Sequence, residues 1–459
     1  MKETRPFSMK DKIGYTLGDL GCCCTEQFRA MYLAIFYTLV LKVNPVHVGI
    51  LMLITKLWDA INDPLIGALV DSHQNKGKGK FIPWIKFFAF PTAVLCILGF
   101  VNVSNFAYGA RLAYMFITYV VYEIMYTCVS VPFGSLSSVM TDDVNQRTDL
   151  SRFRSLGGTI FMTVIVIAGP LFLYKDNQPV PSHFLIMAAI CAVVGLICLM
   201  FTSHWCKERI ITEPVAKEKE KLNYLDVLKA ISKNKALLGV MLSSFIGIVG
   251  AGMVNGLNTY LFRDYFGNVA IMAVSGMLSV IWSLIAFIGT KFVAKKFGKK
   301  EWIMYSATFS VVVYAILFFF PLENPMLFII INGICYLGVS GFQVLVWALV
   351  NDAIDYQELQ TGKRNEGIVY SAYTFFRKLA NAVSGSMSSF ALAIAGFQVN
   401  EAVQNEAFSG HLWKTYTGLY VVGYLLAVLV LKFIYPLTKE KTAEMLQDLA
   451  DKRNAATAE

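Results

Sequence analysis

The sequence predicts an all-α membrane protein of twelve transmembrane helices arranged as two halves of six. Three observations predict it. Of the 459 residues 56% are apolar and only 15% are charged, against about 25% charged in an ordinary soluble domain. The charges are bunched between long apolar stretches, and a stretch of roughly 20 apolar residues spans the hydrocarbon. The connections between those stretches alternate between rich and poor in Lys and Arg, which fixes an orientation in a bilayer.

In order, the apolar stretches place spans at 14–41, 48–70, 83–103, 109–137, 153–174 and 183–203, then at 236–262, 270–294, 302–320, 325–350, 366–396 and 412–435. Basic residues gather after the even spans. Lys76, Lys78 and Lys80 follow the second; Lys207, Arg209, Lys217, Lys219, Lys221, Lys229, Lys233 and Lys235 the sixth; Lys295, Lys296, Lys299 and Lys300 the eighth; Lys363 and Arg364 the tenth. The opposite connections hold few, such as Lys42, Arg111, Lys175 and Arg263. The positive-inside rule then puts the rich side and both termini in the cytoplasm of a cell whose inner membrane carries the chain.

The longest connection, charged and expected to be partly helical, divides the chain into a six-helix half at 1–203, a cytoplasmic linker at 204–235, a second half at 236–436 and a cytoplasmic tail at 437–459. Two six-helix halves so joined are the plan of the major facilitator fold. A faint repeat agrees: GKGKFIPW after span two resembles AKKFGKKEW after span eight, and TDDVNQRT after span four resembles NDAIDYQELQTGKR after span ten.

These features exclude other classes. The net charge of +9 belongs to loops beside apolar segments, which favours lipid contact over nucleic acid. The nine cysteines lack metal spacing and read as free thiols. The polar start MKETRPFSMKDK lacks the pattern of a cleaved signal. His47, His73, His183, His204 and His411 lie near span ends or in loops, and no nucleophile–base pair stands out, so an integral membrane enzyme is disfavoured. A sensor would need a signalling domain, for which the tail after Tyr435 is short. The expected partners are the lipid bilayer, a small-molecule solute and a coupling cation, with no other cofactor.

An ionisable residue inside a span is expensive and so points to function. KLWDAINDP in span two puts Asp59 and Asp63 on one helical face, with Lys56 one turn earlier and Asn62 beside them. Two such carboxylates are comfortable if one is protonated, if Lys56 pairs with them, or if Na⁺ or Li⁺ sits between them. In span four Glu123, Thr127 and Ser130 share a face, Tyr126 adds an aromatic wall, and Pro132 is placed to open the helix. In span one Asp19, Cys23 and Glu26 share a face, with Arg29 one turn on and able to neutralise Glu26. Arg154 opens span five. Arg377 and Lys378 lie deep in span eleven, about 100° apart, so only one of them points fully into a central cavity. They require buried acids or an anionic or polyhydroxyl solute. Trp347, Tyr370 and Tyr373 are candidates for stacking on a sugar ring.

KLWDAINDP, the D-x7-GKFIPW that follows, YTCVSVPFGSL, NDAIDYQELQTGKR and the closing FFRK together resemble the glycoside–pentoside–hexuronide:cation symporter family, from about residue 12 to residue 440. The resemblance implies the major facilitator fold and cation-coupled symport of a sugar, glycoside or hexuronide. It implies cation-site roles for Asp59, Asp63 and Thr127, a sugar-binding role for Arg154 when one residue is gapped, and a place near both sites for Lys378. The melibiose permease of that family carries a third cation-site Asp where this chain has Ser130, and a sugar-binding acid where it has Cys23. Glu26 and Glu123 are the nearest replacement carboxylates. The candidate sets are therefore Asp59, Asp63, Asn62, Thr127 and Ser130 for the cation, with Asp59 and Asp63 as direct ligands if the ion is Na⁺. For the solute they are Glu26, Glu123, Tyr126, Arg154, Trp347, Tyr373, Arg377 and Lys378. A carboxylate-bearing sugar is expected to pair with Arg377. A related facilitator carrying a lysolipid is the rival within transport.

Overall fold

The computed structural model describes residues 5–72, 79–210, 234–361, 366–401 and 404–458. Each predicted span is a helix. The first six are α1 (Met9–Ile35), α2 (Pro45–Ser72), α3 (Ile82–Leu98), α4 (Tyr108–Met140), α5 (Val144–Leu173) and α6 (Pro181–Trp205). The next six are α7 (Lys235–Tyr260), α8 (Ile271–Phe297), α9 (Lys299–Phe319), α10 (Pro325–Thr361), α11 (Glu366–Ile394) and α12 (Glu406–Phe433). A final helix, α13 (Lys439–Ala458), occupies the tail. A two-residue hairpin, β1 (Tyr174–Lys175) with β2 (Gln178–Pro179), turns the chain between α5 and α6.

By length and composition, eight helices among the described residues are apolar enough to cross a membrane: α4 to α10 and α12. Helix α3 is apolar but short, at 17 residues. The other three, α1, α2 and α11, are the ones that carry Asp19 and Glu26, Asp59 and Asp63, and Arg377 and Lys378. Those three helices carry much of the charge that the bilayer disfavours, with Glu123 of α4 and Arg154 of α5 adding to it, as expected where side chains line a polar path.

The chain forms two compact units. One is Met1–Ala216 with Asn268–Gly276 and Gln398–Val403; the other is Lys217–Gly267, Met277–Phe397 and Gln404–Glu459. Each repeats the same packing scheme. In the first, α1 lies against α5 and α6, and α3 against α4 and α6; in the second, α7 lies against α11 and α12, and α9 against α10 and α12. Close approach is made possible by glycine at matching crossings. A Cβ on Gly21 of α1 would sit 2.9 Å from the carbonyl oxygen of Gly195 in α6, and one on Gly250 of α7 would sit 3.3 Å from Cα of Gly423 in α12. Small residues let membrane helices meet backbone to backbone, where dispersion rather than water drives association. The first helix of each unit also ends the same way, in a five-residue π turn, Phe36–Val40 after α1 and Leu261–Tyr265 after α7.

Several helix ends are held by side chains on backbone. Asp143 caps α5, accepting from the amides of Asn145 at 2.7 Å and Gln146 at 3.1 Å. Asn234 caps α7 through Leu237 N–H and donates to the Ala353 carbonyl, both at 2.9 Å. Glu208, just after α6, accepts the N–H groups of Lys80, Phe81 and Ile82 at 2.6, 2.8 and 2.8 Å, and so caps α3. Gly79 precedes it at φ +81°, where a Cβ would meet a Glu208 carboxylate oxygen at 2.8 Å.

Two local expectations change. TDDVNQRT and NDAIDYQELQTGKR are not equivalent: the first supplies the cap and opening turn of α5, whereas the second continues α10 as helix to Thr361. Pro132 does not open α4, which runs unbroken from Tyr108 to Met140. The helical reading of the 211–233 linker, and Lys76, Lys78, Lys363 and Arg364 of the basic loops, lie outside the described residues.

Candidate functional site

In the first unit α1, α2 and α4 bring buried and half-buried charges together around Lys56. Its ammonium lies 3.0 Å from Asp59 Oδ2, 3.6 Å from Glu123 Oε1 and 3.8 Å from Glu26 Oε1. Glu123 is almost wholly buried, with 3% exposure. Asp59 Oδ1, Glu26 Oε2 and the Asn62 amide nitrogen are buried and find no hydrogen-bond partner among the described residues. One turn along α2, Asp63 Oδ1 accepts a hydrogen bond of 3.2 Å from the Thr127 hydroxyl of α4. The i, i+4 spacing of Asp59 and Asp63 therefore serves two environments: one carboxylate faces an ammonium, the other a hydroxyl.

Arg29, expected to neutralise Glu26, does not do so. Its guanidinium is buried against rings, 3.5 Å from the centroid of Tyr122 and 5.0 Å from that of Tyr119. Its three nitrogens make no hydrogen bond among the described residues. The flat cation is satisfied by π faces instead. Tyr126 stacks on Tyr122, centroids 5.8 Å apart and planes at 9°, so it buttresses that stack as well as walling the cluster.

Arg154 belongs to a second arrangement on the same unit. Its Nε donates to Asp19 Oδ1 at 3.0 Å, and the Gly158 amide donates to Asp19 Oδ2, also at 3.0 Å. Cys23 Sγ is 4.0 Å from the same oxygen. The Asp19 carboxylate thus ties α1 to α5 and holds Arg154, which also lies over the Phe133 ring at 5.2 Å. Asp19 is a site residue that the candidate sets omitted. Its signal was present, an acid four residues before Cys23 in an apolar helix. Glu26, expected on that same face, turns to Lys56 instead.

In the second unit α7, α10, α11 and α12 enclose a recess lined by Ser244, Phe342, Tyr373, Arg377 and Tyr424, among others. Arg377 lies over the Trp347 ring at 5.4 Å. Trp347 in turn stacks on Tyr370 at 5.3 Å and meets Tyr373 edge-on at 5.0 Å. The acids that could have claimed Arg377 are engaged elsewhere: Asp352 pairs with Lys299 at 2.6 Å, and Glu26 and Glu123 face Lys56. Arg377 makes no ion pair among the described residues. Lys378, one residue on, is exposed on a different face of α11 and is not part of this recess. Ser130 is half-buried and makes no hydrogen bond to Asp59 or Asp63 among the described residues. A free guanidinium beside ring faces and hydroxyls can bind a sugar ring through its C–H face, its hydroxyls and an anionic substituent.

Residues 14–439 match the family described as MFS/sugar transport protein. This chain belongs to that family. It is a secondary active transporter of the sugar class, embedded in a membrane by many passes, and not an enzyme. It is 32% identical to the uncharacterized symporter YjmB of Bacillus subtilis (strain 168) over 450 residues, covering 97% of this chain and 96% of that one. It is 24% identical to the glucuronide carrier protein homolog of Escherichia coli (strain K12), over 97% of this chain and 96% of that one. The fold is similar to the crystal structure of a bacterial homolog of the human lysosomal transporter Spinster, with a TM-score of 0.66 at 11% identity, covering 96% of this chain and 97% of that one.

Proposed function

We propose that the protein is a cation-coupled symporter that accumulates an acidic sugar or glycoside, in an inner membrane and with both termini in the cytoplasm. The observation that carries the substrate reading is Arg377: a half-buried guanidinium in a ring-lined recess with no carboxylate on it among the described residues. A sugar carboxylate accepts two parallel hydrogen bonds from such a group, and a dry site makes that pairing strongly orienting. The names of the relatives, a symporter and a glucuronide carrier homolog, support the class. Trp347 and Tyr373 hold the ring, and the coupling cation, Na⁺ or H⁺, is held by the cluster containing Asp59, Asp63, Asn62 and Thr127; Arg154, held by Asp19, is a further polar group of the first unit. Ser130 and Lys378 keep secondary roles, since neither meets the groups nearest to it in the candidate sets.

Coupling one monovalent charge to about 100 mV supplies roughly 2.3 kcal/mol, enough for about 50-fold accumulation. The two sites favour one conformation only through differential affinity for it. The test is competition in right-side-out vesicles, with a glucuronide and the matching glucoside against labelled glucuronide, in wild type and in Arg377→Gln. The glucuronide competes better in wild type and loses its advantage in the variant. A neutral sugar that competes better in wild type overturns the substrate reading; full concentrative uptake by both Asp59→Asn and Asp63→Asn overturns the cation site.

A further inference from the structure

The cluster around Lys56 contains more acid than base. Glu26, Asp59, Asp63 and Glu123 supply four carboxylates, and Lys56 and Arg29 supply two cations, so full ionisation leaves a net charge of −2 (two positive against four negative). In an apolar bundle that imbalance is costly unless a mobile cation makes up part of it. The geometry restricts which cation can do so. The point common to Asp59, Glu26 and Glu123 is already filled by the Lys56 ammonium, at 3.0, 3.8 and 3.6 Å. A metal ion at that point would have to displace a lysine tethered to α2. A proton needs only an oxygen, and Glu26 Oε2 and Asp59 Oδ1 are both buried without a partner among the described residues; Asp59 holds the Lys56 ammonium at 3.0 Å and Glu26 only at 3.8 Å, so the ammonium favours the charged form of Asp59 more and leaves Glu26 the better seat for a proton.

We infer that the coupling ion is a proton, carried by the Glu26–Glu123 carboxylate pair, with Lys56 as the fixed counter-charge. Every element packed around the pair contributes to this setting. Helix α1 gives Glu26 and Arg29, α2 gives Lys56, Asp59 and Asp63, α3 gives Cys96, and α4 gives Glu123 with Tyr119, Tyr122 and Tyr126. In the loading step one O–H bond forms on a carboxylate oxygen of the pair, the proton coming from water on the side where the sugar enters. Lys56 is then left to Asp59 and the remaining carboxylate. On the other side the O–H bond breaks and the proton returns to water, with no bond in the sugar changed. Glu123 and Glu26 thereby act in place of the carboxylate that Ser130 lacks. This inference rests on the cation-coupling reading above and names its ion.

The test uses the full chain in proteoliposomes. In the transport arm, labelled methyl β-D-glucuronide and methyl β-D-glucoside are offered with an inward pH gradient at equal Na⁺, or an inward Na⁺ gradient at equal pH. The expected result is uphill uptake with the pH gradient alone, up to about ten-fold per pH unit for one proton per sugar, and its loss in Glu123→Gln. Uphill uptake driven by Na⁺ at equal pH, or a Glu123→Gln variant that still accumulates with the pH gradient, overturns the inference. The second arm needs no sugar. Infrared difference spectra of the wild type between acid and alkaline buffer should show a carboxylic-acid C=O band that is unaffected by NaCl and absent from Glu123→Gln. If neither sugar is taken up by wild type, the substrate reading fails and the infrared arm still decides the proton. If Glu123→Gln is not monodisperse, Glu123→Asp takes its place: a band shifted in position supports the assignment, and an unshifted band overturns it.

Discussion

Replacing Glu208 by Gln tests how the connection after α6 holds the start of α3. Its carboxylate receives three backbone N–H groups, from Lys80 on one oxygen and from Phe81 and Ile82 on the other, at 2.6 to 2.8 Å. Gln keeps one oxygen, so two bonds persist without charge, while the Lys80 N–H meets an amide donor and loses its partner. A hydrogen bond to a charged group is worth about 1.5–3 kcal/mol and a neutral one about 0.5–1.5. An anion at a helix N-terminus adds roughly 0.3–1 kcal/mol. Water can reach this edge and recovers part of the loss, which leaves a net cost on the order of 2 kcal/mol. For a cooperative unit of about 200 residues that corresponds to a midpoint lower by roughly 4–8 °C. The assay is a thermal scan at fixed rate in detergent with a thiol-reactive fluorogenic dye, because eight of the nine free cysteines are buried and report on opening. Gly79→Ala should also lower the midpoint, since the φ of +81° and the nearby carboxylate both reject a Cβ. If both variants melt with wild type, the carboxylate does not hold α3 and the reasoning is wrong.

Thr127→Val removes the 3.2 Å hydrogen bond to Asp63 without changing volume much. Because that bond favours the ionised carboxylate, its loss should shift the pH of half-maximal coupled uptake upward, by about 1–2 units for the roughly 1.5–3 kcal/mol of a bond to a charged acceptor. Arg154→Ala and Asp19→Asn should each impair uptake, and the double variant should be little worse than either. Additive losses in that double-mutant cycle would show that the two residues act separately. Trp347→Ala withdraws the ring under Arg377 and should raise KM for the sugar about 3- to 30-fold, with a smaller effect on the maximal rate, as loss of roughly 0.5–2 kcal/mol of cation–π and stacking contact implies. An unchanged KM would place the sugar elsewhere.

The helices were legible because the bilayer imposes a single length on them and the loops carry the charge. The boundaries drifted where that constraint lapses. Helix α10 runs on through polar NDAIDYQELQT, and α5 begins nine residues before its apolar stretch, since water-exposed turns obey capping rather than hydropathy. Within the candidate site, what depends on one helix was readable: Asp59 and Asp63 share a face by spacing alone, and Arg377 and Lys378 had to diverge. What depends on the rotation of one helix against another was not. Asp19 meets Arg154 across 135 positions of sequence, and Glu26 could have turned to Arg29, Arg377 or Lys56 with equal sense on paper. Arg29 stacking on Tyr122 was hidden for a further reason: a sequence shows charge complementarity more readily than it shows a cation lying on a ring.

The π turns at Phe36–Val40 and Leu261–Tyr265 bear on how this chain tolerates changes of length. A π turn in an α-helix amounts to one inserted residue absorbed locally. Deleting one residue there would restore regular α geometry, and because the extra residue is taken up within the turn, the chain beyond it would keep its facing. The charges of α1 lie before the turn and would stay where they are. The two turns are therefore places where a single-codon deletion is accommodated on the spot, leaving Glu26, and with it the Lys56 cluster, undisturbed.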